Sequence, residues 1–114
     1  MSLQPVPIQN VPGVPDYTCT AFLPKSSDYC LLIPVINEGS RILTELGRAQ
    51  KAGVDRLVDI VICDGGSTDG SMNPDTLELY GVNTLLIKTG PGKQGAQLRM
   101  GLHFALTFGY KGVL

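Results

Sequence analysis

The chain has 114 residues, room for one domain, since a single hydrophobic core typically serves about 100–150 residues. Charged residues make up 17% and hydrophobic ones 43%, where soluble domains carry about 25% charge, and nine basic against ten acidic residues leave a net charge of −1, which excludes a broad electrostatic attraction to nucleic acid or to an anionic membrane surface. No apolar run approaches the roughly 18 residues of a transmembrane helix, and the first ten residues, without Lys or Arg, do not read as a secretory signal.

Gly and Pro punctuate the chain, with 14 and 8 copies. Pro5, Pro7, Pro12 and Pro15 crowd the start, so residues 1–28 are expected to be an extended arm without a core of its own. Residues 29–114 are expected to form the folded unit. Cys30 to Ile36 is a continuous apolar run, as in a strand covered on both faces. Pro34 cannot donate to a ladder, so this strand should end, or lie at an edge, near that point. Asn37-Glu38-Gly39-Ser40 then opens a helix with Ile42, Leu43, Leu46 and Ala49 on its apolar side and Gly53 as its stop.

Leu57 to Cys63 reads as a second buried strand, followed by the loop Asp64-Gly65-Gly66-Ser67-Thr68-Asp69-Gly70. Asn73 as N-cap and Pro74 at the first helical position begin a short helix that closes at Gly81. Val82 to Lys88 is a third strand. A helix from Gly95 to about Phe108 carries Leu98, Leu102 and Ala105 on one apolar face, Gly109 caps it, and Gly112 to Leu114 starts a fourth strand. Three alternations of strand and helix with short loops predict right-handed βαβ units: an α/β fold with a Rossmann-like parallel sheet.

Three cysteines, Cys19, Cys30 and Cys63, are an odd number without a C-x-x-C pair, and a single His cannot complete a zinc site with them. They are expected to be reduced, structural thiols in a cytosolic setting. His103, in mid-helix beside Phe104, reads as a packed helix residue.

Open α/β sheets bind ligands beyond the carboxyl ends of their strands, which here lead into unusual loops. Asp64, Ser67 and Asp69 offer acceptors for a base or ribose. Gly90, Gly92, Lys93 and Gly95 at a helix start, with Arg99 one turn on, suit phosphates. Gly90 to Gly95 matches G-x-G-x-x-G, but it follows the third strand rather than the first, and the acidic ribose partner expected about 20 residues on would fall past Leu114. Gln94 stands where a phosphate-binding P-loop needs Ser or Thr, and Asp64 to Asp69 lacks the spacing of a calcium loop.

Taken together, the apolar strand ending Pro34-Val35-Ile36-Asn37-Glu38, then Val61-Ile62-Cys63-Asp64-Gly65-Gly66-Ser67-Thr68-Asp69-Gly70, then Gly92-Lys93-Gln94-Gly95-Ala96-Gln97-Leu98-Arg99-Met100-Gly101, resembles the family 2 glycosyltransferases in order and spacing, over roughly Tyr29 to Leu114. The resemblance implies a GT-A fold, a UDP- or GDP-sugar donor, and sugar transfer to an acceptor (a glycan, a lipid or a polyisoprenyl phosphate) with inversion. It implies that Pro34, Ile36, Asn37 and Glu38 border the nucleoside and that Asp64 accepts a hydrogen bond from the base. Gly65, Ser67 and Asp69 would shape that loop, and Lys93, Gly95 and Arg99 would lie near ribose and diphosphate. Many members carry a second Asp where Gly65 stands, and Asn is frequent where Arg99 stands.

The resemblance further implies a divalent metal, Mn or Mg, held by an acidic motif after the fourth strand, with the catalytic base later still. Both are expected beyond Leu114, so no catalytic or metal-binding residue is assigned within the chain, which reads as the incomplete, donor-binding half of such an enzyme. A cytoplasmic location, or one at the cytoplasmic face of a membrane, is expected, with self-association through the unfinished sheet edge. The competing readings are a non-catalytic nucleotide-binding module and, further off, an NAD-dependent oxidoreductase.

Overall fold

A computed structural model describes residues 2–6, 13–90 and 94–114. Among the described residues six strands form one sheet in the order β1-β2-β5-β4-β3-β6. Its parallel part consists of β3 (Tyr29–Val35), β4 (Asp59–Asp64), β5 (Val82–Lys88) and the short β6 (Gly112–Val113). Helices α1 (Arg41–Lys51), α2 (Val54–Leu57), α3 (Pro74–Leu79) and α4 (Gln94–Thr107) fill the connections.

The continuous apolar runs are explained by covering on both faces. Along β4 every residue is buried, and alternate side chains enter different cores. Ile60 and Ile62 meet Ile42 and Leu46 of α1 and Leu77 of α3, whereas Val61 and Cys63 meet Met100, Phe104 and Ala105 of α4. The sheet is thus the middle of three layers. β6 pairs with Tyr29 and Cys30 of β3, and Pro34, next to the last residue of β3, pairs with Cys63 of β4, so the strand ends one residue past its proline.

The sheet is mixed rather than wholly parallel, because the Pro-rich start joins it. β1 (Ser2–Val6) and β2 (Tyr17–Ala21) form an antiparallel pair, and β2 runs antiparallel to β5. The described residues of this stretch, 2–6 and 13–28, are therefore not a separate arm: Tyr17 is 2% exposed and belongs to the α4-side core with Cys19. The physical reason is that β5 would otherwise be an open sheet edge. Pro5 is tolerated because β1 is itself the outer strand.

Three further boundaries move. Leu57, expected in the second strand, ends the short helix α2 and is exposed, and the strand starts at Asp59. The first strand of the parallel part ends at Val35, leaving Ile36 outside it. The buried face of α4 is Ala96, Gln97, Met100, Gly101, Phe104 and Ala105, while Leu98 and Leu102 are exposed. Gly101 decides this orientation: a Cβ there would lie 2.7 Å from Cys63 Sγ and 3.0 Å from a Leu32 methyl, so the helix rests on its glycine side and rolls the leucines outward. No helix among the described residues is long and apolar enough to cross a membrane.

Candidate functional site

Parallel pairing brings the carboxyl ends of β3, β4 and β5 to one edge of the sheet, and the first two loops there are cross-linked by side chains. Asp64, the last residue of β4, is 2% exposed. Its Oδ1 accepts from the Ser67 hydroxyl at 2.6 Å and from the Ser67 N–H at 3.1 Å, with Oδ2 3.2 Å from that N–H. The Ser67 hydroxyl oxygen in turn accepts from the Asn37 N–H at 2.9 Å. Asn37 returns the link, its Oδ1 accepting from the Thr68 N–H at 2.8 Å.

Asn37 holds this position with φ of 47°, the left-handed region that Asn tolerates better than most residues. Farther out, Asp69 Oδ2 accepts from the Gly39 N–H at 3.1 Å. Hydrogen bonds from the Ser71 hydroxyl and amide, then from Gly39, hold Asp69 below its ordinary carboxylate value. An open cleft of about 280 Å³, bordered by Gly39, Ser40, Asp69 and Ser71, flanks this outer part.

From the opposite layer, α4 sends Gln97 beneath both loops. Its amide is 4% exposed and donates to the carbonyls of Val35 and Cys63, at 2.8 and 2.9 Å. The Gly65 N–H donates to the same Val35 carbonyl at 2.8 Å. The third loop is braced from the N-terminal side, where the N–H groups of Thr89 and Gly90 donate to the Asp16 carbonyl at 2.8 and 3.1 Å.

The expected site residues thus divide. Pro34, Ile36, Asn37, Glu38, Asp64, Gly65, Ser67 and Asp69 come together at the ends of β3 and β4. Ile36 is 54% exposed, whereas Glu38 is engaged by the Arg41 guanidinium at 2.7 Å. Lys93 and the middle of the glycine-rich turn lie outside the described residues. Gly95 stands in the first turn of α4, exposed, beside the Arg99 side chain. Arg99 is spoken for elsewhere: its Nε donates to the Gly13 carbonyl.

Gln97 was the residue that local pattern did not single out as part of the site. Its one sequence signal was a polar side chain flanked by Ala96, Met100 and Gly101 on what is now the buried face. His103 is half-buried, and its Nδ1 lies 2.7 Å from the Tyr17 hydroxyl, consistent with a packing role. The three cysteines are free and buried.

A divalent metal finds no cradle in these side chains. Among the described residues no three His, Cys, Asp or Glu side chains converge, and Asp64 and Asp69 direct their oxygens to Ser67, Ser71 and Gly39. These residues do not fit a metal. A cavity of about 190 Å³ at the start of β5, walled by Cys19, Phe104, Phe108 and Tyr110, lies at the far end of the sheet from the loops. Its wall is mostly apolar, with Lys25, Asn83 and Thr84 among the lining residues, and the loop cluster is the better candidate site because it lies at the carboxyl ends of the parallel strands. No protein-family model, no curated protein and no solved structure matches the chain.

Proposed function

We propose that the loop cluster at the ends of β3, β4 and β5 binds the nucleotide of a UDP- or GDP-sugar, and that the chain is the donor-binding part of an inverting glycosyltransferase of family 2 with a GT-A fold. The observation that carries this reading is the cross-linked pair of loops. Asp64, Ser67, Asn37 and Thr68 form one continuous hydrogen-bonded system at a parallel sheet edge, where open α/β sheets bind their ligands. Such a system is pre-organised, so binding need not order the loops.

In this reading Ile36 supplies an apolar surface for the base. Asp64 sets the loop through Ser67 and, as the resemblance implies, accepts from a donor group of the base. The start of α4 faces the diphosphate, where helix N–H groups favour negative charge. In the transfer itself a bond forms between an acceptor oxygen and the anomeric carbon as the bond from that carbon to the diphosphate oxygen breaks. The electron pair leaves with the diphosphate, and the acceptor proton passes to a general base.

Calorimetric titration of UDP and GDP tests the site. One of the two is expected to bind the wild-type chain, and Asp64→Ala is expected to abolish binding while the far-ultraviolet circular dichroism stays that of the wild type. Equal affinities for wild type and variant, or no binding of either nucleotide, would sink the assignment.

A further inference from the structure

Gln97 joins three elements with one amide. The carbonyls it binds belong to Val35, the last residue of β3, and Cys63, the next to last of β4. A carboxamide nitrogen has two hydrogens, and both are used here. Burial of this amide is favourable only because of that pairing.

The neighbouring glycine is explained by the same amide. Gly65 does not have a left-handed φ, unlike Gly66 at 103°, so its backbone conformation is not what reserves the position for glycine. What forbids a side chain is space: a Cβ at position 65 would lie 2.9 Å from Gln97 Cδ, 3.0 Å from Nε2 and 3.1 Å from Oε1. A flexible side-chain end would ordinarily swing aside. This one is pinned by two hydrogen bonds, and moving it would leave two carbonyls to find other partners.

We propose that Gln97 is the positioning residue of the nucleotide loop: it fixes where the ends of β3 and β4 stand relative to α4, hence the conformation of Asp64 to Thr68, and it is the reason position 65 is glycine. Insofar as the ligand is a nucleotide, the proposal rests on the function proposed above. Met is close to Gln in volume but has no N–H, so Gln97→Met removes the donation and keeps the packing.

The test measures amide hydrogen exchange and UDP and GDP titrations on the 114-residue chain and its variants. In Gln97→Met the amides of Gly65, Ser67 and Thr68 are expected to exchange at least about tenfold faster, the worth of one buried hydrogen bond. Those in the middle of β4 and β5 should stay as slow as in the wild type, and nucleotide affinity should fall by at least about tenfold. Gly65→Ala should disturb the same amides in the wild-type background and add nothing to the disturbance that Gln97→Ala causes by itself, a coupling that a double-mutant cycle isolates.

Loop exchange in Gln97→Met equal to that of the wild type, or an equal effect of Gly65→Ala in both backgrounds, overturns the proposal. Should Gln97→Met not fold, Gly65→Ala alone decides, with undisturbed loop amides overturning it. If the wild type binds neither nucleotide, the glycosyltransferase reading falls, and the exchange data by themselves judge Gln97.

Discussion

Gly101 shows how a single residue sets a layer spacing. In a helix, Ala is more favourable than Gly by about 1 kcal/mol, so propensity alone makes Gly101→Ala stabilising. The Cβ, however, would enter the contact with Cys63 Sγ and the Leu32 methyls, and overpacking of this kind costs about 1–3 kcal/mol. The steric effect wins because both neighbours are themselves core residues with no solvent to yield into. Urea denaturation is expected to show Gly101→Ala less stable than the wild type, and a more stable variant would refute the close approach. Asn73 is the opposite kind of residue, with everything decided locally. Its side chain accepts from the N–H groups of Asp75 and Thr76, with Pro74 at the first helical position, as the Asn-Pro pair announces in the sequence. Gln97 was not legible in that way, since its two partners lie 62 and 34 residues away in the chain.

At the scale of the element, α4 is the clearest case of pattern against packing. Leu98, Leu102 and Ala105 have helical spacing, yet Leu98 and Leu102 are exposed and Met100 and Phe104 are buried. Helical periodicity identifies an apolar stripe, but on a helix apolar over more than one face it does not say which stripe meets the sheet. Met100→Ala is therefore expected to cost about 2–5 kcal/mol, whereas Leu102→Ala should stay within about 0.5 kcal/mol of the wild type. Chemical denaturation of the two variants checks this orientation of the helix, and a reversed order would return Leu102 to the core. The N-terminal hairpin teaches the same lesson. Its prolines suggest an extended chain, and β1 and β2 are extended, but that they border β5 follows from the edge that β5 presents rather than from their own composition.

For the molecule as a whole, the buried thiols and phenols link folding to pH. Burial pushes the thiols of Cys19 and Cys30 up to about 11 and that of Cys63 up to about 12, from an ordinary value of 9.0. It raises Tyr17 and Tyr110 as well, Tyr110 also donating its hydroxyl to Asp59 at 2.6 Å. The folded chain thus keeps protons that the unfolded chain releases. The stability these groups contribute is complete below the unfolded thiol value and is lost as pH rises through the folded values. Tm is expected to be level up to about pH 9 and to fall between about pH 9 and 11. A Tm that stays constant through this range would contradict the burial of these groups.

What the amino-acid sequence determined by itself is the local and periodic part: three buried strands, the capped helix at Asn73, the loop from Asp64 to Gly70, and the α/β alternation that gathers the loops at one sheet edge. Each depends on neighbours within a few residues or on a repeat along one element, and such signals survive in a linear string. Only the tertiary structure decided that the Pro-rich start completes the sheet, that α4 lies on its Gly101 side, and that Gln97 ties β3 to β4 beneath the loop and leaves position 65 no room for a side chain. Those outcomes rest on contacts between distant segments, where edge satisfaction, close packing and the pairing of a buried amide outweigh what any one segment prefers alone.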